Sequence, residues 1–142
     1  MLSSSDASSS LNNSNANSSV GKKLKALMVY DNRTITMIHG ALLKKFGVET
    51  HEAKDGQEVV LAHRSGACFD LIMMDLDMSV VNARQTIMEL RDMNVRSKIV
   101  GLTFFGEEKK KPFMNVGLDY CYPKPLPFDV VRDLVEKIKE DA

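Results

Sequence analysis

The sequence predicts an α/β fold in which a parallel sheet is covered by helices on both faces. Strand-like and helix-like segments alternate five times between residues 22 and 142, which is the pattern of such sheets. The clearest strand core, Leu71–Met74, is a continuous apolar run that leads into Asp75. A continuous run, unlike an alternating one, suits a central strand that is buried on both faces. Chemistry in such a sheet is expected at the carboxyl ends of its strands.

The chain opens with a segment that is unlike the rest. Residues 1 to 21 consist mainly of Ser and Asn and contain almost no apolar side chains. Such a segment cannot bury enough surface to offset the entropy lost on ordering. We therefore expect a disordered tail at 1–21 and one folded domain at 22–142.

The first half of the domain contains two strand–helix pairs. The first strand is predicted at Leu24–Tyr30 and the second at Val48–Ala53. The helix between them, Thr34–Phe46, has apolar residues at helical spacing and Gly47 as its stop; these apolar residues are Ile35, Ile38, Leu42 and Phe46. A second helix from Gly56 to about Ser65 is predicted because Asp55 is a suitable N-cap and Gly66 a suitable stop.

The second half continues the alternation after the third strand. A helix at Ala83–Met93, a strand at Lys98–Thr103, a strand at Asp119–Tyr122 and a helix at Phe128–Lys139 follow from apolar spacing. Val131, Leu134, Val135 and Ile138 are expected on the inner side of the last helix. The fourth helix, Glu107–Val116, contains Pro112, so we expect it to be kinked or to start late with Pro112 at its first position.

Composition excludes several functional classes. Nineteen basic and nineteen acidic residues give a net charge of zero, which argues against a general nucleic-acid binder. No apolar run has the length of a membrane span, and the N-terminus lacks the apolar stretch of a secretory signal. We expect a monomer in the cytoplasm, with the nucleus left open as a second location.

The cysteines and histidines do not form a recognisable metal motif. Cys68 and Cys121 lack metal-ligand spacing; a disulfide between them stays open, and free buried thiols are the preferred interpretation. His39, His51 and His63 also lack ligand spacing and are interpreted as surface or helix-face residues.

Four polar residues follow or end four of the predicted strands. Right-handed crossovers place the ends of the first, third, fourth and fifth strands along one edge, and these ends carry Asp31, Asp75, Thr103 and Lys124. Two carboxylates repel each other unless a cation lies between them, and hard oxygen ligands favour Mg²⁺. A hydroxyl and an ammonium group would bind the oxygens of a phosphoryl group, whose transfer depends on positioning and charge neutralisation. Asp75 is then the best-placed nucleophile, although each residue taken singly is an ordinary cap, strand or surface residue.

Four short motifs resemble the markers of the response-regulator receiver domain; they are Tyr30-Asp31-Asn32, Met74–Met78, Leu102-Thr103 and Pro123-Lys124-Pro125. The resemblance covers about Lys22 to Asp141 and implies a flavodoxin-like, doubly wound, five-stranded parallel sheet of order 2-1-3-4-5. The phrases FDLIMMDLDM, IVGLT and GLDYCYPKPL are most similar to the small plant response regulators without an output domain, the type-C group.

The resemblance also implies a role for each residue. Asp75 corresponds to the phosphoacceptor, Asp31 to a direct Mg²⁺ ligand, and the backbone carbonyl of Asp77 to a further ligand. Thr103 corresponds to the switch hydroxyl and Lys124 to the phosphate-binding cation, with a Lys124–Pro125 bond that is often cis. No organic cofactor is implied.

The implied partner is a histidine-phosphotransfer protein in a His-to-Asp phosphorelay of the two-component, cytokinin type. It would donate a phosphoryl group that is later released as phosphate. The exposed side of the first helix, around Ile35, Met37 and His39, is the expected docking surface. The alternative is that these residues complete the core or lie singly on the surface.

The sequence departs from the family pattern around the site. Tyr30 replaces the first of two adjacent acids, which predicts weaker Mg²⁺ binding, partly compensated by the Asp77 side chain. The other departures are Ser79, Ala83, Phe104 and Cys121. Tyr30, Ser79, Phe104 and Pro112 favour a second hypothesis, a pseudo-receiver that binds proteins without phosphorylation. A flavin-binding protein of the same fold is disfavoured, because the loop after the first strand is acidic rather than rich in Ser, Thr and Gly.

Overall fold

The five strands form one parallel sheet in the order β2-β1-β3-β4-β5. The computed structural model describes residues 23–78 and 82–141; the predicted tail at 1–21 and Ser79 lie outside the described residues. The strands are β1 Lys25–Val29, β2 Glu49–Ala53, β3 Leu71–Asp75, β4 Lys98–Thr103 and β5 Tyr120–Pro123. The strand order is the one that the resemblance implied.

Helices cover both faces of the sheet. They are α1 Arg33–Lys45, α2 Gly56–Arg64, α3 Ala83–Asp92, α4 Glu107–Met114 and α5 Phe128–Asp141. One apolar cluster joins α1 and α5 to the sheet, and a second joins α2, α3 and the segment after α4 to the other face. Every residue of β3 is buried, so the central position predicted from its continuous apolar run is confirmed.

The helix boundaries have local causes. Asn32 caps α1 by accepting a hydrogen bond from the Ile35 N–H at 2.9 Å, and Asp55 caps α2 by accepting one from the Glu58 N–H at 2.9 Å. Gly47 follows α1 with a φ of 81°, a backbone angle that side chains with a Cβ rarely adopt. The predicted N-cap Asp55 and the predicted stop Gly47 are therefore confirmed, whereas the cap at Asn32 was not predicted.

The structure excludes one of the two alternatives for α4 and corrects two expectations about burial. Helix α4 begins at Glu107 and contains Pro112, so the late start is excluded. Ile38, which helical spacing grouped with Ile35, is exposed, because α1 turns it away from the sheet while Ile35 and Leu43 enter the core. No disulfide joins Cys68 and Cys121, as preferred, but Cys68 is exposed instead of buried.

Arg91 at the end of α3 forms hydrogen bonds that connect neighbouring segments at the edge of the domain. Its guanidinium donates to the carbonyls of Gly117, Val95 and Ser97 and to Asp119 Oδ2 at 2.7–3.1 Å. Because Asp119 also accepts from a β4 amide, one side chain joins α3, β4 and the entry to β5. No part of this network was predicted from the sequence.

Candidate functional site

Two of the predicted site residues form an ion pair at the carboxyl edge of the sheet. Asp75 is the last residue of β3, and Lys124 follows β5 directly. Lys124 Nζ lies 2.7 Å from Asp75 Oδ1, and the side chains are only 4% and 3% exposed. A buried carboxylate needs a partner to stay charged, and Lys124 supplies it. The bond between Lys124 and Pro125 is cis, in agreement with the resemblance.

The side chain of Asp77 joins Thr103 to this pair. Thr103 Oγ1 donates to Asp77 Oδ1 at 2.7 Å, and the Phe104 N–H donates to Asp77 Oδ2 at 2.9 Å. Lys124 Nζ lies 3.3 Å from Asp77 Oδ2. Burial opposes ionisation of this carboxyl, but the hydrogen bonds from Phe104, Thr103 and Lys124 outweigh it and lower the pKa of Asp77. The Asp77 carboxylate is therefore held by groups at the carboxyl ends of β4 and β5.

Phe104 covers the ammonium group from the solvent side. Lys124 Nζ lies 4.4 Å from the centre of the Phe104 ring, within the range of a cation–π contact. Phe104 as a residue is 60% exposed. Phe104 therefore places an apolar ring over the charge of Lys124.

Asp31 is the predicted site residue that stands apart. It is exposed and lies beyond the end of β1, in the turn before α1. Within residues 23–78 and 82–141, no group of three or more His, Cys, Asp or Glu side chains is arranged to hold a metal ion. The structure thus joins Asp75, Asp77, Thr103 and Lys124 through direct contacts, whereas no contact joins Asp31 to them among the described hydrogen bonds and ion pairs.

A second polar network lies behind the site, and sequence reasoning missed it. His39 is 0% exposed; its Nε2 accepts a hydrogen bond from the Leu126 N–H at 2.8 Å, and its Nδ1 lies 2.6 Å from Tyr30 Oη. Because a backbone N–H can only donate, Nε2 is unprotonated and Nδ1 carries the hydrogen of the neutral ring. Tyr30 Oη accepts that hydrogen and directs its own toward Met73 Sδ at 4.0 Å.

This network keeps both rings neutral. Burial, followed by the positive charge of Lys124, lowers the pKa of His39 from 6.5 to about 4. Burial, followed by the negative charge of Asp75, raises the pKa of Tyr30 well above its usual value. Tyr30 therefore fills the place of an acid with an uncharged hydroxyl that hydrogen-bonds to α1. No local sequence pattern predicted that Tyr30 would hydrogen-bond to His39.

The predicted docking surface on α1 requires a correction. Ile35 and His39 are buried against the sheet, because the helix turns that side inward. Met37, at 62% exposure, and Ile38 lie on the outer side. Of the three residues named from the sequence, only Met37 belongs to an exposed surface.

Comparisons with known proteins show which sequence family this chain resembles. The family model described as "Response regulator receiver domain" matches residues 26–137. The chain is 38% identical over 117 residues to "Two-component response regulator 24" of Arabidopsis thaliana, which covers 82% of this chain and 84% of that protein. It is 41% identical over 108 residues to "Two-component response regulator ARR22" of the same plant, which covers 74% of this chain and 76% of that protein.

Solved structures show the same architecture. The chemotaxis response regulator CheY4 of Vibrio cholerae superposes with a TM-score of 0.72 at 27% identity, over 82% of this chain and 99% of that chain. The receiver domain of the sensor histidine kinase PA1611 from Pseudomonas aeruginosa was solved with a magnesium ion coordinated in its active site cleft. It superposes with a TM-score of 0.74 at 20% identity, over 84% of this chain and 99% of that chain; at this identity the likeness concerns the fold.

Proposed function

Because this chain belongs to the response-regulator receiver domain family of two-component systems, we propose that it accepts a phosphoryl group on Asp75. The donor is the phosphohistidine of a histidine-phosphotransfer protein. The observation that carries the proposal is the buried pair of Asp75 and Lys124, with Oδ1 and Nζ 2.7 Å apart at the carboxyl edge of the sheet. The pair combines a nucleophile with a fixed positive charge that offsets the charge of an incoming phosphoryl group.

The transfer exchanges one bond for another. A carboxylate oxygen of Asp75 attacks the phosphorus atom, a P–O bond forms, and the P–N bond to the donor imidazole breaks. The electron pair of the broken bond stays on the imidazole nitrogen, which takes a proton from the solvent. Water later attacks the acyl phosphate, and inorganic phosphate leaves as the Asp75 carboxylate is restored.

Mg²⁺ is the proposed cofactor, because the donor set is right in kind. The carboxylates of Asp31 and Asp75 and the backbone carbonyl of Asp77 are oxygen ligands of the type that this ion prefers. When bound, the ion supplies positive charge that neutralises the phosphoryl oxygens. Tyr30 contributes no charge to the set, so we expect weaker binding than a receiver with two adjacent acids would show. Titration of Mg²⁺, followed by the amide resonances of the β1–α1 turn, measures the affinity; Asp31→Asn should abolish the response.

The decisive test is removal of the nucleophile. Purified chain is mixed with a phosphorylated phosphotransfer protein, with and without Mg²⁺, and label is followed on both proteins. We expect the parent chain to drain the donor and Asp75→Asn to leave it labelled. Equal drainage by the two chains would refute the assignment of Asp75. Asp133→Asn, an exposed change on α5, removes the same charge and serves as the control.

The second candidate is a binding module that does not depend on phosphorylation. It is favoured by the uncharged Tyr30 network and by the Phe104 ring over Lys124, 4.4 Å from its ammonium group. In that case the parent and Asp75→Asn would bind the phosphotransfer protein equally, and neither would acquire label. The outer side of α1 that carries Met37 and Ile38 is the proposed contact surface for either candidate. Met37→Glu should weaken binding while leaving labelling by acetyl phosphate unchanged.

A further inference from the structure

The carboxylate of Asp77 collects three hydrogen-bond donors from two neighbouring segments. These are the Thr103 hydroxyl at 2.7 Å, the Phe104 N–H at 2.9 Å and the Lys124 ammonium at 3.3 Å. Hydrogen bonds to an ionised acceptor are among the strongest in proteins. Two residues earlier in the chain, Asp75 shares the same ammonium at 2.7 Å. The donors around Asp75 are thus engaged by a negative charge that belongs to the protein.

A phosphoryl group on Asp75 would need the same donors. Its oxygens carry close to two negative charges, and the nearest cation is Lys124, which bridges Asp75 Oδ1 and Asp77 Oδ2. We propose that the Asp77 side chain is a built-in anion that occupies the phosphoryl-binding donors and has to leave them before Asp75 can hold a phosphoryl group. This inference rests on the proposed function and assigns Asp77 a gating role there, in addition to its proposed backbone ligand to Mg²⁺.

Charge balance supports the gating role. Asp75 and Asp77 together carry two negative charges, and Lys124 is the positively charged side chain that pairs with both. A dianion entering beside Asp77 would meet a like charge at short range, and partial burial leaves little water to screen it. Removal of the Asp77 charge should therefore speed acceptance. Truncation should in addition free the Thr103 hydroxyl and the Phe104 N–H for the incoming oxygens.

The engaged donors also predict how the loop after β4 responds. The Phe104 N–H is bonded to Asp77, and the Phe105 N–H donates to Thr103 Oγ1 at 3.0 Å. The Phe104 amide is thus bonded to Asp77 directly, and the Phe105 amide is linked to it through the Thr103 hydroxyl. While the Asp77 carboxylate occupies these donors, it keeps the loop in one arrangement. Loss of the carboxylate should loosen the loop, and an added tetrahedral anion should restore its protection.

Three variants separate the effects of charge and shape. Asp77→Asn keeps the shape of the side chain but removes its charge, Asp77→Ala removes both, and Asp133→Asn removes one exposed charge on α5 as the control. Label from acetyl phosphate with Mg²⁺ is followed over time, and hydrogen exchange of the Phe104 and Phe105 amides is measured on the same samples. Melting temperatures show that each variant is folded under the conditions used.

We expect both Asp77 variants to take up label about tenfold faster than the parent, with Asp133→Asn unchanged. The Phe104 amide should exchange about tenfold faster in Asp77→Ala, and inorganic phosphate should slow it again in that variant but not in the parent. If the parent takes up label and the Asp77 variants are no faster, the gating role is refuted while the proposed function stands.

If no chain acquires label, the absence of label counts against the proposed function and not against the gating role. The amide exchange rates still test the gating role in that case. An exchange rate of Phe104 that is the same in the parent and in Asp77→Ala would then overturn the inference. Faster exchange in Asp77→Ala, reversed by phosphate, would support it.

Discussion

Acidification should destabilise the domain through His39, and the size of the effect follows from its buried hydrogen bonds. His39 accepts from the Leu126 N–H and donates to Tyr30, so the fold requires the neutral ring. Its pKa is 6.5 in an ordinary setting and about 4 in the fold. Between these values the unfolded chain binds a proton that the folded chain does not, so stability falls as the pH falls. The contribution is complete above about pH 6.5 and is lost on the way to pH 4. The loss in the free energy of unfolding amounts to about 2.5 kcal/mol by pH 4.5.

His39→Gln isolates this term, because glutamine has donors and acceptors but no titration in that range. The free energy of unfolding is measured by urea denaturation of the parent and the variant between about pH 7.5 and 4.5. Their difference should shrink by about 2.5 kcal/mol over that interval, since carboxyl groups titrate equally in both chains. The imidazole resonances of the parent should also show the His39 titration near pH 4. A difference in unfolding free energy that is constant with pH would refute the reasoning.

Three further predictions concern packing around the sheet. Arg91→Lys should lower the free energy of unfolding by about 2 kcal/mol in urea denaturation, because a single ammonium cannot replace the forked guanidinium that bonds to Gly117 and its neighbours. As a control, the exposed Arg132→Lys should change the free energy of unfolding by less than about 0.5 kcal/mol. Equal effects of the two substitutions would contradict this role of the guanidinium. Gly117→Ala should lower the melting temperature and cost about 1–3 kcal/mol, because the φ of 124° is strained for alanine and its Cβ would lie 2.7 Å from Arg91 Cγ; an unchanged melting temperature would contradict it. Tyr30→Phe should cost about 1–3 kcal/mol by chemical denaturation, because the Nδ1–H of His39 loses its acceptor; a neutral effect would mean that another group accepts this hydrogen.

The structure also places limits on what the motifs predicted about the site. Asp75, Thr103 and Lys124 were identified because they end or follow strands, and parallel strands bring their carboxyl ends to one edge. Their separate roles toward Asp77 depend on where one side chain turns after the strand has ended. A spacing of two residues from Asp75 does not specify that direction. The sequence therefore could not show whether the Asp77 side chain faces a metal ion or contacts Thr103.

The sequence by itself determined the α/β alternation, the central position of β3 and the residues at the strand ends, because these follow from apolar runs, caps and short-range stops. Family resemblance added the strand order. Only the tertiary structure decided that His39 is buried, that Tyr30 hydrogen-bonds to it, and that Asp77 occupies the donors beside Asp75. The physical reason is that these contacts join residues far apart in the chain, such as His39 and Leu126. A buried polar group needs a partner wherever the fold brings one, and no local pattern records which partner that is.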